Sequence, residues 1–112
     1  MDYVLTPEQE RELEMLKQKY GKVRTMCVPL DEDDETKYAI LFLKKPDRAT
    51  RNMTWSFVQK GNTDAAIQAC LKALWIGGDK LDLIFSNDDA MEAVDLTLTE
   101  LLKTQKAVLK KN

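Results

Sequence analysis

Between Lys37 and Lys44 the chain runs Tyr38-Ala39-Ile40-Leu41-Phe42-Leu43, six apolar or aromatic residues in succession. A strand points successive side chains to opposite faces, so a run that is apolar at odd and even positions alike must be covered on both. We expect a buried strand with helices on one side and further chain, or a partner, on the other. Pro46 ends it, because proline cannot continue a hydrogen-bonded ladder. Upstream, Lys22 to Pro29 reads as a second strand, with Val23, Thr25, Cys27 and Pro29 alternating against Arg24, Met26, Val28 and Leu30. The five acids from Asp31 to Glu35 separate the two runs, repel one another and cannot enter a core. Strand, acidic turn and strand make a two-stranded antiparallel hairpin.

Helical patterns flank the hairpin. Thr6 can cap free amides, Pro7 fits the first helical position and Gln9 completes a capping box. The helix they open runs to Tyr20 with Leu13, Leu16 and Tyr20 on one face, and Gly21 stops it. After Pro46, Asp47 or Thr50 can cap a short helix bearing Met53, Trp55, Phe57 and Val58, which ends at Gly61. Thr63 is expected to cap the next, where Ala66, Ile67, Cys70, Leu71, Leu74 and Trp75 recur at three and four residues before Gly77-Gly78 terminates it. The link from Asp79 to Ser86 reads as a turn of helix or an extended piece. Asn87 opens a final helix from about Asp88 to Lys110, in which Met91, Val94, Leu98, Leu101, Gln105 and Val108 follow a 3-4 spacing, widened by Leu102 and Leu109. At 1.5 Å per residue it would be ~33 Å long, and its last turns are expected to outrun the core.

These elements give an α+β fold: an N-terminal helix, the hairpin, then three helices including a long C-terminal one. With 112 residues, 44% of them hydrophobic and 32% charged, the chain is expected to form a single domain over 1–112. No apolar stretch approaches a membrane span, and Asp2, Thr6 and Glu8 interrupt any secretory segment at the start. A soluble protein follows, with Cys27 and Cys70 as reduced core thiols in a cytoplasm.

Composition removes several function classes. There is no histidine, hence none of the commonest general base, metal ligand or pH switch. A net charge of −2 is too balanced for the footprint of non-specific nucleic-acid binding. Asp31, Asp33 and Glu35 alternate like calcium-loop ligands, but Thr36 and Phe42 stand where that loop needs glycine and a bidentate glutamate, so the reading is a solvated hairpin tip. Asp79, Asp82, Asp88 and Asp89 could pose as paired carboxylates for general acid–base work, but two of them occupy a helix start, and capping is the expected role. Cys70 lies mid-helix on an apolar face, with nothing to lower its pKa. Lys44, Lys45, Arg48 and Arg51 cluster beside Trp55 but are expected to pair with acidic neighbours rather than phosphate. We therefore expect no enzyme, no cofactor and no metal.

The charge is nonetheless banded. Residues 31–36 carry −5, 37–60 carry +5, 79–100 carry −6 and 101–112 carry +4, a pattern compatible with head-to-tail assembly. The heptad stripe of the final helix has two readings, packing within the monomer or forming a seam with another copy or a partner helix. On the second reading Met91, Val94, Leu98 and Leu101, together with Trp55 and Trp75, form the partner or oligomer interface.

From Tyr38 onward the order of landmarks resembles the small tail assembly chaperones of long-tailed bacteriophages and prophages. An apolar strand (Tyr38 to Leu43) ends in Lys44-Lys45-Pro46, and Arg48-Ala49-Thr50 opens a short helix. A small-residue helix (Ala65 to Leu74) then leads to Trp75-Ile76-Gly77-Gly78-Asp79, an acidic stretch and a long helix from Asn87 to Lys110. The resemblance spans roughly two-thirds of the chain; the first helix and the five-acid turn lie outside it. It implies a non-enzymatic helper in the bacterial cytoplasm that coats a tape measure protein, or another tail component, before tube subunits polymerise around it. It also implies a longer product made by ribosomal frameshifting near Lys110-Lys111-Asn112. A chaperone without ATP needs apolar surface for its client and charge elsewhere for solubility, which this composition provides. The alternative is a small cytoplasmic adaptor or structural subunit that self-associates through its C-terminal helix.

Overall fold

The structure, a computed structural model, describes residues 3–103 and residue 107. Among the described residues the chain is α+β, built from helices α1 (Pro7–Tyr20), α2 (Arg48–Gln59), α3 (Thr63–Leu74), α4 (Asp82–Phe85) and α5 (Asp88–Leu101) and strands β1 (Val23–Pro29), β2 (Tyr38–Lys44) and β3 (Trp75–Gly78). No described helix is long and apolar enough to cross a membrane.

The apolar run becomes the central strand of an antiparallel sheet ordered β1-β2-β3. Leu41 pairs with Met26 and Phe42 with Thr25 on one side, while Leu41 pairs with Gly78 and Phe42 with Gly77 on the other. Both faces of β2 are buried, as its composition requires. Ala39, Leu41 and Leu43 join Val28 in the main apolar cluster with Ala66, Ile67, Cys70, Leu71 and Leu74 of α3, Ile84 of α4 and Ala90, Val94 and Leu98 of α5. Ile40 and Phe42 point to the opposite side, where α1 lies against β1 and β3. Thus chain, not a partner, covers the second face. The first helix starts as its sequence dictates: Thr6 Oγ1 accepts from Gln9 N at 3.2 Å and Gln9 Oε1 accepts from Thr6 N at 2.9 Å.

The sheet has three strands rather than the two of a hairpin. Trp75 leaves the helical region with φ −64° and ψ 127°, so α3 ends at Leu74 and the Gly77-Gly78 pair serves a strand instead of stopping a helix. Each glycine answers a close approach. A Cβ on Gly77 would lie 2.8 Å from Leu16 Cδ1 and 3.0 Å from Glu12 Oε2, where α1 crosses the sheet. Gly78 has φ +90° and sits against the Ile40 carbonyl. Asp79 then closes the ladder, its N–H donating to Ile40 O and its Oδ2 accepting from Ile40 N, both at 2.8 Å.

Two caps also differ from expectation or resolve it. Asn62, not Thr63, caps α3 by accepting from Ala65 N at 3.2 Å. Asp47 caps α2, accepting from Thr50 N at 2.7 Å, and that bond holds its carboxyl below the usual range. The link from Asp79 to Ser86 contains the single helical turn α4.

The final helix stops at Leu101 instead of running to Lys110. Arg24 Nη1 donates to Leu101 O at 2.9 Å and Arg51 Nε to Leu102 O at 3.3 Å, so cations from β1 and α2 take carbonyls that a further turn of helix would use. The positions expected at Gln105, Val108, Leu109 and Lys110 lie outside the described residues. Replacing Arg24 and Arg51 together by Met should cost about 2 kcal/mol, since each removes a charge-assisted bond at a helix terminus. Urea unfolding of the double variant checks this, and loss of much less than the sum for either single change would indicate that one arginine substitutes for the other.

Candidate interaction surfaces

Of the six side chains expected at an interface, three belong to the core. Val94, Leu98 and Leu101 are 1%, 3% and 7% exposed, because the 3-4 stripe of α5 faces α3 and the sheet. They are out of reach of a partner in this fold, so the heptad pattern is core packing there and the interface placement at these positions is corrected. Met91 and Trp55 are half-buried and pack at the margin of the same cluster. Trp75 is exposed.

Trp75 opens the edge strand β3 directly after α3, and its side chain reaches the turn into α4. Its Nε1 donates to Asp79 O at 3.0 Å, and Asp79 is itself doubly bonded to Ile40, so the indole is tied to the central strand through one intermediary. With Lys80, Leu81 and Asp82 it lines a shallow, mainly apolar depression of about 190 Å³. Leu83, also exposed, follows in α4. A large aromatic held in place by a hydrogen bond beside an aliphatic side chain has the composition of protein contact surfaces.

The flank of α5 away from the stripe carries a second feature. Leu96 is 79% exposed on the helix surface opposite Val94 and Leu98. Beside it Pro29, Glu32, Asp89, Glu92 and Ala93 line an apolar-floored groove of about 230 Å³ between α5 and the end of β1. The groove is pinned at its acidic end: Asn87 Nδ2 donates to Leu30 O at 2.8 Å and Glu32 N to Asp89 Oδ2 at 3.2 Å. A more polar groove of about 310 Å³ lies on the other side of α5, where Met91 and Phe85 meet Asp64, Asp88, Glu92 and Asp95. Leu96 lies off the 3-4 stripe, so the helical periodicity of the sequence does not point to it. The available clue was a leucine on the polar face.

The remaining candidates resolve into structural roles. The acidic turn knits itself together, with Asp33 N donating to Asp31 Oδ1 at 2.9 Å and Thr36 Oγ1 to Asp34 Oδ1 at 2.6 Å. That hydroxyl bond, with a second from Thr36 N to the same Asp34 oxygen at 3.0 Å, holds the Asp34 carboxyl below its usual range. Among the described residues no group of three or more His, Cys, Asp or Glu is placed to hold a metal. Burial pushes the Cys70 thiol up, against a smaller pull from the Thr54 hydroxyl, and burial likewise raises Cys27. In the basic cluster Arg51 is engaged with Leu102, whereas Lys44, Lys45 and Arg48 are exposed. Compared with known proteins, the chain matches no family model, no curated protein and no solved structure.

Proposed function

We propose that this chain is a tail assembly chaperone-like protein, a non-enzymatic helper that binds the tape measure protein of a phage or prophage in the bacterial cytoplasm. The observation that carries the reading is the Trp75 corner, an exposed indole fixed by Asp79 and bordered by Leu81, with the exposed Leu83 following in α4. It falls in the Trp75-Ile76-Gly77-Gly78-Asp79 segment, one of the landmarks on which the resemblance to that family rests. A tape measure protein is a long helical client with recurring apolar side chains. A rigid aromatic with aliphatic neighbours contacts such a helix at low entropic cost, because the indole has few torsions to lose. Coating the client requires many weak, similar contacts rather than one deep pocket, and shallow depressions of this kind suit that task.

Co-expression tests the proposal. When the long helical reading frame encoded beside this gene is produced with the wild-type chain, the client should stay in the soluble fraction and co-purify. Trp75→Ser combined with Leu83→Ser should reduce the recovered client at least tenfold while leaving the helper folded, as both side chains are exposed. Absence of any such frame among neighbouring genes, or full recovery with the double variant, would overturn the reading.

A further inference from the structure

The groove beside Leu96 has the half-buried Pro29 and Ala93 as its floor and Glu32, Asp89 and Glu92 around it as a rim. A leucine left 79% exposed next to a concave apolar floor is an unfilled contact. Its rim excludes the simplest occupant, the same flank of a second copy related by a twofold axis. Such pairing would set Glu32, Asp89 and Glu92 of one chain against the like residues of the other. The occupant must bring positive charge around an apolar side chain.

This chain displays such a surface elsewhere. On α2, Ala49, Met53 and Ser56, continued by the C-cap Lys60, share one face by helical spacing, and all are exposed. Met53, 38% exposed, is the large apolar side chain of that face and is flexible enough to fill an irregular groove. Lys44, Lys45 and Arg48 lie just before it or at its start, all exposed, within the 37–60 block that carries +5. The two surfaces lie on different elements: α2 packs on α3, whereas the groove lies between β1 and α5. We propose that the α2 face of one copy docks in the α5 groove of the next, Met53 against Leu96, with Lys45 and Arg48 facing Glu32, Asp89 and Glu92. Because the two surfaces differ, the contact is heterologous and every assembly keeps one groove and one α2 face free at its ends, so it extends head to tail and grows with concentration. Its charged rim makes it salt-sensitive, as the Debye length falls from about 10 Å at 0.1 M to about 3 Å at 1 M. The pairing leaves the Trp75 corner unused and does not depend on the client reading.

Two variants test it. Leu96→Lys disables the groove, and Lys45→Glu with Arg48→Glu disables the α2 face; all three positions are exposed, and circular dichroism verifies folding. In sedimentation velocity at low salt the wild type should gain mass with concentration and lose that gain at high salt. Each variant alone should remain monomeric, with association weakened at least tenfold. Mixed, they should form a complex of one copy of each and nothing larger, since the intact α2 face of the groove variant meets the intact groove of the other. A wild type that stays monomeric throughout, association that survives either variant, or a mixture that does not pair would each overturn the proposal.

Discussion

Leu98→Asp should unfold this protein, whereas Leu96→Asp, two residues away on the same helix, should leave it nearly as stable as the wild type. Leu98 is 3% exposed in the core cluster, so the substitution removes buried apolar surface and places a carboxylate among the apolar side chains of α3 and the sheet. The two effects together amount to at least about 4 kcal/mol. That is comparable with the whole stability of a domain this size, about 5–15 kcal/mol. At position 96 the new charge stays in water. Its cost is repulsion from Glu92 and Glu100 one turn away on either side, a few tenths of a kcal/mol each. Urea midpoints for the two variants decide the matter. Equal destabilisation would mean that Leu96 is buried as Leu98 is, and the reverse order that the stripe and the flank of α5 have been exchanged.

Gly78→Ala should be the second costly change, although it adds a single methyl group. At φ +90° the added Cβ would be strained wherever it pointed, and here it meets the Ile40 carbonyl and lies 3.1 Å from Leu41 Cα. Those atoms belong to the central strand, which is bonded on both sides and cannot withdraw. We expect a loss of about 3 kcal/mol, the sum of backbone strain and an overpacked contact. Gly77→Ala should cost distinctly less, because the atoms it meets are the ends of Leu16 and Glu12, which can turn away at the price of loosening α1. Thermal melts of the pair check the order, and a milder effect at Gly78 than at Gly77 would contradict it.

The hairpin was legible because two independent constraints agreed on it. A run apolar on both faces had to be a covered strand, and five adjacent acids had to be in water. The first helix was equally plain, since its capping box is written in three neighbouring residues. What could not be read had its cause far away in the chain. Trp75-Ile76-Gly77-Gly78 is too short to alternate, and its glycines read as a helix stop until α1 and Ile40 are seen pressed against them. The end of α5 depends on Arg24 and Arg51, whose side chains reach it from 77 and 51 residues away. A heptad stripe looks the same from sequence whether it faces its own core or another chain, so the interface placed at Val94, Leu98 and Leu101 fell on core residues. Trp75 and Met91 do reach the surfaces, and Leu96 had to be found in three dimensions.

In the proposed function the Trp75 corner is the place where a helical client is held. Its most direct test is the fluorescence of Trp75 in a Trp55→Phe background, which leaves one indole. Titration with a purified segment of the neighbouring tape measure product should shift the emission to shorter wavelength and saturate, as an exposed ring passes from water to an apolar contact. Binding detected by sedimentation with the Trp75 emission unchanged, or no binding at all, would contradict the account.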